Sequence, residues 1–274
     1  MSDGGRGTAV DLRLDRAHPA RIYDFLLGGR THFAADREAA RRMLAVFPQA
    51  AAAARINRAF THRAARHLAR AGMRQFLDIG AGLPTSPNLH ETVQAIRPDA
   101  RVVYADNDPV VLAHAAALLR GRPEGRTAYV QADVTDPAAV LGAPRLRETL
   151  DLGRPVALTL IALLHFVPGD GRGGAHAAVE ELKAAMPSGS TLTATHATRE
   201  FAPAAMSAVG EVCRRAGTPF RLRTEAEFRR FFDGWELLEP GVTLTHRWRP
   251  DRPGDALRAT AAESACYAAT ARKP

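Results

Sequence analysis

Lysine is nearly missing from this chain of 274 residues. Lys183 and Lys273 are the only two, so arginine carries almost all of the positive charge. Cysteine is equally scarce: Cys213 and Cys266 stand far apart and form no CxxC pair. That excludes a disulfide scaffold and a zinc-ribbon framework, and it points to a reducing compartment with no structural metal. No apolar run approaches the ~20 residues that cross a bilayer. The opening "MSDGGRGTAVDLRLDRAHP" lacks the apolar segment of a signal peptide. A cytoplasmic protein without a membrane partner is the expectation.

The composition is otherwise that of a globular protein, 46% hydrophobic and 24% charged, with a formal charge of +8. The charge is unevenly placed. Residues 1–75 hold 14 arginines against 6 acids, whereas residues 76–274 hold 23 of each sign. The basic surplus therefore belongs to the N-terminal segment, where it serves either an anionic partner or the solvated faces of helices.

Residues 1–18 are Gly-, Arg- and Asp-rich without a period and read as a mobile tail. Residues 19–74 read as a helical cap. "PARIYDFLLGGRTHF" is a short apolar run broken at Gly28–Gly29, and "AADREAARRMLAVF" is a helix stopped by Pro48. Ile56, Phe60, Ala64 and Leu68 then recur every four residues in a helix that ends at Gly72. Residues 75–274 alternate. Strands fall in "QFLDIG", "ARVVYADND", "TAYVQADV", "PVALTLIALLHFV" and "PSGSTLTATHA". Helices fall at 88–96, in "PVVLAHAAALL", in "AHAAVEELKAAM" and in "TEAEFRRFF". "WELLEPGVTLTHRW" and "SACYAATARK" close the chain as two strands with no helix between them. Such alternation gives an α/β fold whose parallel sheet is covered on both faces.

In such sheets, ligands bind beyond the carboxyl ends of the strands. "QFLDIGAGLPTSPN" opens like a dinucleotide-binding loop, with Gly80 and Gly82, but its third glycine position falls on Thr85 beside Pro84. A pyrophosphate needs that glycine for close helix packing; a nucleoside with a compact zwitterionic tail does not. Asp78 at the strand end suits an ammonium group. Asp106, with Asn107 beside it, ends the second strand and can take both ribose hydroxyls. Asp133 ends the third and can accept from an adenine amino group, while the Val134 amide donates to the ring. A lone strand-end aspartate is most often a turn residue or helix cap. Three at successive strand ends after a glycine loop point to S-adenosylmethionine rather than NAD.

These motifs resemble those of class I S-adenosylmethionine-dependent methyltransferases, and more closely the actinobacterial DUF574 family. The resemblance is carried by "PARIYDFLLGGRTHFAADREAA", "NRAFTHRAARHLARAGMRQFLDIGAGLPT", "VVYADNDPVVLAHA", "ALLHFVP" and "EPGVTLTHRWRP". It implies a Rossmann-like sheet of seven strands with an antiparallel last strand, preceded by N-terminal helices, and methyl transfer as the activity. "PARIYDFLLGG" is also similar to a segment of leucine carboxyl methyltransferase relatives that covers the cofactor's carboxylate end. By that analogy Arg21 and Tyr23 close over the methionine moiety; a helix merely anchored on the sheet edge would read the same way.

Methyl transfer asks mainly for positioning, with a base only for a poorly acidic acceptor. His165, where the fourth strand ends, is the candidate base, and His196 at the end of the fifth is a weaker one. The acceptor is expected to be a small molecule with an oxygen or nitrogen nucleophile, possessing a negative charge if it is to suit the arginine-rich cover. Base methylation of DNA is disfavoured, since "LLHFVPGD" stands where an Asn- or Asp-Pro-Pro-aromatic loop belongs, and neither cysteine follows a proline. RNA methylation stays open because of the basic segment. So do NAD-dependent oxidoreduction and cofactor binding without catalysis, since methyl transfer leaves so small a signature in a sequence.

Overall fold

The computed structural model describes residues 12–118, 121–169, 171 and 173–274. Most of the expected tail, residues 1–11, lies outside the described residues. Three helices precede the first strand: α1 (Pro19–Leu26), α2 (Ala34–Val46) and α3 (Ala50–Arg70). Pro19 suits the first turn of α1, where its missing N–H costs nothing, and Gly72, at φ +103°, follows the end of α3. The chain then runs β1 (Gln75–Ile79), α4 (Leu89–Gln94), β2 (Arg101–Asp106), α5 (Pro109–Leu118), β3 (Arg126–Gln131), α6 (Pro137–Gly142), α7 (Pro144–Thr149) and β4 (Ala157–Leu160). It continues with α8 (Ala175–Ala185), β5 (Thr191–Ala197), α9 (Pro203–Arg215), α10 (Glu225–Arg229), β6 (Glu236–Leu237), β7 (Thr243–Leu244), α11 (Ala261–Ser264) and β8 (Cys266–Arg272).

These strands form one sheet in the order β3-β2-β1-β4-β5-β8-β6, with β7 also on β8. β1 to β5 are parallel, and β8 runs antiparallel to β5, β6 and β7. Alternate residues pack on opposite faces. Leu77, Ile79, Val103, Leu158 and Leu192 belong to one core, and Phe76, Val102, Tyr104 and Ala157 to the other. The order reverses between β1 and β4, so the crevice at their carboxyl ends is where such a fold binds ligands.

The expected class of fold is the one observed, with local corrections. "WELLEPGVTLTHRW" is divided into β6 and β7 by Pro240 and by Gly241, at φ +80°. The seven expected strands thus become eight. The two closing strands are not free of helix between them: a 3₁₀ turn over Pro253–Leu257 and α11 intervene, and this segment braces α3. There Arg63 donates to the carbonyls of Thr245 and Trp248 at 2.6 and 3.1 Å. The long apolar run after residue 155 is strand only through Leu160. Ala162 then takes φ +50°, and Leu164–Phe166 form a 3₁₀ turn whose Leu164 belongs to the same core as Leu158 and Leu192. Helices α6, α7 and α9 are additional to the expected set. The first two have only six residues each, and Gly210 dilutes the third. The buried face of α3 carries Ala54, Asn57, Phe60, Ala64 and Leu68, with Ile56 to one side. A strict four-residue spacing drifts off a 3.6-residue helix.

Candidate functional site

The loop after β1 turns through Gly80 at φ +74° and Gly82 at φ +66°, a region that β-carbons disfavour. At Gly80 the constraint is also steric, since a β-carbon would lie 2.7 Å from Leu163 Cδ1. The Gly82 amide donates to Asp106 at 2.8 Å, and the Asp108 amide donates to the other oxygen of the same carboxylate at 3.0 Å. Asp106 is thereby held at the end of β2 with lone pairs left over. Burial raises its pKa, partly offset by those two amides.

Burial also pushes Asp78 up to about 7, against the lowering pull of Thr159 and Arg58. Arg58, on α3, was not among the expected site residues. It donates to the carbonyl of Thr85 and, at 2.8 Å, to that of Pro87. The Thr85 amide donates to Asn88 Oδ1 at 3.0 Å. The proline-rich turn in place of a third glycine is therefore a loop pinned from above by a guanidinium. The available signal was Asn57, a polar residue on the buried face of α3 that marks this stretch as facing a site.

β3 ends at Gln131, so Asp133 lies in the turn beyond it. One of its oxygens accepts from the Thr135 amide at 2.8 Å and hydroxyl at 2.7 Å, and the other from Asn107 Nδ2 at 2.7 Å. Partial burial raises its pKa, but these bonds outweigh it and the net direction is down.

Arg21 is committed within the protein. Its Nε lies 3.1 Å from Asp108, Nη1 lies 3.7 Å from Asp36, and Nη2 donates to the carbonyls of Arg13 and Arg16 at 3.3 and 3.1 Å. The Asp108 contact is an ion pair without hydrogen-bond alignment. Tyr23 donates to the Ala54 carbonyl at 2.9 Å and accepts from Asn57 at 3.0 Å; burial pushes its hydroxyl up to about 12. Much of the N-terminal arginine surplus is spent similarly: Arg37 on a carbonyl, Arg66 on Asp251 and Arg74 on Asp99.

The two histidines divide. His196 Nδ1 donates to the Ala197 carbonyl at 2.7 Å, and Nε2 accepts from Arg223 at 2.9 Å. Burial is the main reason its pKa falls to about 3, and the ring is part of the core. His165 accepts at Nδ1 from the Ala197 amide at 3.4 Å, so the neutral ring carries its proton on Nε2, which has no protein partner among the described residues. Burial, then His196 and Arg223, push its pKa well below 6.5. In this tautomer Nε2 is a hydrogen-bond donor.

Arg21, Tyr23, Asp78, Gly80, Gly82, Asp106, Asn107, Asp133, Val134 and His165 all line one cavity of about 640 Å³, mid-range for ligand pockets of roughly 300–1,000 Å³. It lies at the carboxyl ends of the strands, with α1, α2 and α3 contributing the opposite wall. Among the described residues, no helix is long and apolar enough to cross a membrane.

Against known families, residues 6–274 match one described as S-adenosyl methyltransferase. Among solved structures, a DUF574 family protein from Streptomyces avermitilis MA-4680 is 49% identical with a TM-score of 0.92, over 96% of this chain and 100% of that one. A protein from Thermobifida fusca YX, provisionally named a methyltransferase, is 39% identical with a TM-score of 0.88, over 96% and 97%. A search of curated proteins gives no match.

Proposed function

Since the chain belongs to the S-adenosyl methyltransferase family, we propose that it moves a methyl group from S-adenosylmethionine to an oxygen or nitrogen of a small molecule held beneath the N-terminal helices. What supports this reading is one cavity that gathers the glycine loop, three strand-end carboxylates and the cap. When bound, the cofactor supplies an electrophilic methyl on a sulfonium, so the chain's work is to bind, orient and exclude water. Gly80 and Gly82 let backbone approach the ligand, and Asp106 receives the ribose hydroxyls on its remaining lone pairs. Asp133 and the Val134 amide address the adenine edge. Asp78, with Arg58 near it, faces the amino-acid end. Arg21 and Tyr23 hold the cap that closes over it.

Asp78 gives this assignment a pH signature. Its carboxyl is substantially protonated at neutral pH in the free protein and becomes ionised beside a bound ammonium group. Binding then releases a proton, and affinity for S-adenosylhomocysteine falls with decreasing pH below about 7, by up to about tenfold per pH unit. Calorimetry in buffers of different ionisation heat measures the release directly. A proton count of zero below neutrality, or one unchanged in Asp78→Asn, overturns the role.

The test of the function is a titration with S-adenosylmethionine and with NAD, followed by a labelled-methyl screen of small-molecule extracts and purified RNA. Saturable binding of S-adenosylmethionine alone, with label entering the small-molecule fraction, is the expected result. Label entering tRNA or rRNA instead would transfer the reading to a nucleic-acid substrate.

A further inference from the structure

The cavity is chemically two-sided, and the sheet order sets the sides. Its charged lining residues are Arg13, Arg16, Arg21, Arg58, Asp78, Asp106 and Asp133. They come from the N-terminal segment, α3 and the ends of β1 to β3. Beyond β4 the character changes. Met43 and Phe47 from the end of α2, Met206, Val209 and Val212 from α9, and Phe220 after it line this side. Neither α9 nor the loop 216–220 contributes a charged side chain to the cavity. Between the halves sits an aromatic cluster. The His165 ring centroid is 4.4 Å from that of Phe166 and 5.2 Å from that of Phe220.

Resting on the methyltransferase reading, we infer that the acceptor is a planar, predominantly apolar hydroxyl compound, bound between α2 and α9, with its oxygen held by His165 Nε2–H. An ionised carboxylate, phosphate or ammonium on the apolar part of that molecule would be buried without a partner and so be rejected. The arginine-rich cover therefore does not select a negatively charged acceptor, because its arginines lie on the other side or are already paired. The aromatic cluster favours a flat ring system. The donor at Nε2 favours oxygen over nitrogen. A hydroxyl oxygen can accept from His165 with one lone pair and attack with another, whereas an amine has a single lone pair and a donor on it blocks attack. In the transfer the acceptor oxygen gains the methyl, the carbon–sulfur bonding pair stays on sulfur as a neutral thioether, and the hydroxyl proton leaves to solvent.

Naphthol is a suitable probe, paired with its carboxylated and sulfonated derivatives, each titrated into the protein saturated with S-adenosylhomocysteine. Naphthol should bind at least about tenfold more tightly than either charged derivative. Val212→Asp, at a half-buried position, and Phe220→Ala should each weaken naphthol by about tenfold or more while leaving S-adenosylhomocysteine affinity within about twofold. Retained product binding also reports that the variants are folded. Equal or tighter binding of the charged derivatives, or naphthol affinity unchanged in both variants, overturns the inference while the function stands. Failure of S-adenosylhomocysteine itself to bind the parent protein overturns the function instead.

Discussion

Arg21→Ala is expected to lower stability by about 3–5 kcal/mol, the usual consequence of removing one partner from a buried ionic cluster. The guanidinium is 2% exposed, and it faces two carboxylates that are themselves buried, Asp36 and Asp108. Without it Asp108 keeps His18, at 3.2 Å, and its bond from the Val110 amide. Asp36 keeps the amides of His18 and Phe33. Neither retains a permanent positive charge close by, and the carbonyls of Arg13 and Arg16 each lose a guanidinium donor. Urea denaturation provides the measurement, with cofactor-product affinity as the second readout. A loss below about 1 kcal/mol would mean that this ionic cluster does little to hold the cap.

Asp106→Ala should weaken S-adenosylhomocysteine by about 2–3 kcal/mol, roughly 30- to 150-fold, through loss of charge-assisted bonds to the ribose. Two effects add here. In the proposed binding mode the carboxylate meets the ligand, and it also fixes the amides of Gly82 and Asp108, so the glycine loop loses its anchor as well. Asp133→Ala should cost less. Its oxygens are occupied by Thr135 and Asn107, and adenine retains its apolar and backbone contacts. Calorimetry on folded variants separates the two. Unchanged affinity in Asp106→Ala would remove the ribose assignment.

The residues that meet in the cavity are legible in the sequence because strand ends are local features. A short apolar run followed by an acid or a glycine marks its own position, and parallel topology then brings the ends together without further information. The start of α10 is legible for the same reason, since Thr224 and Glu227, three residues apart, each accept from the other's backbone amide, at 3.2 and 2.8 Å. Arg58 is not, because its partners are carbonyls 27 and 29 residues away and carbonyls leave no trace in a sequence. The His165 tautomer depends on a backbone amide 32 residues away and is invisible for the same reason. The apolar side of the cavity is hidden too, because α9 places Met206, Val209 and Val212 on a surface that also reads as ordinary core.

β8 lies inside the sheet although it is the last of the eight strands among the described residues. During synthesis from the N-terminus, β5 emerges and pairs with β4 while its other edge waits for a partner about 70 residues downstream. β6 and β7, which pair with β8 alone among the described residues, wait as well. An open edge is a template for pairing with another chain. The waiting strand "TLTATHA" holds no Asp, Glu, Lys or Arg, no proline and no glycine, so nothing in its own sequence blunts that edge, and its protection rests on the arrival of β8.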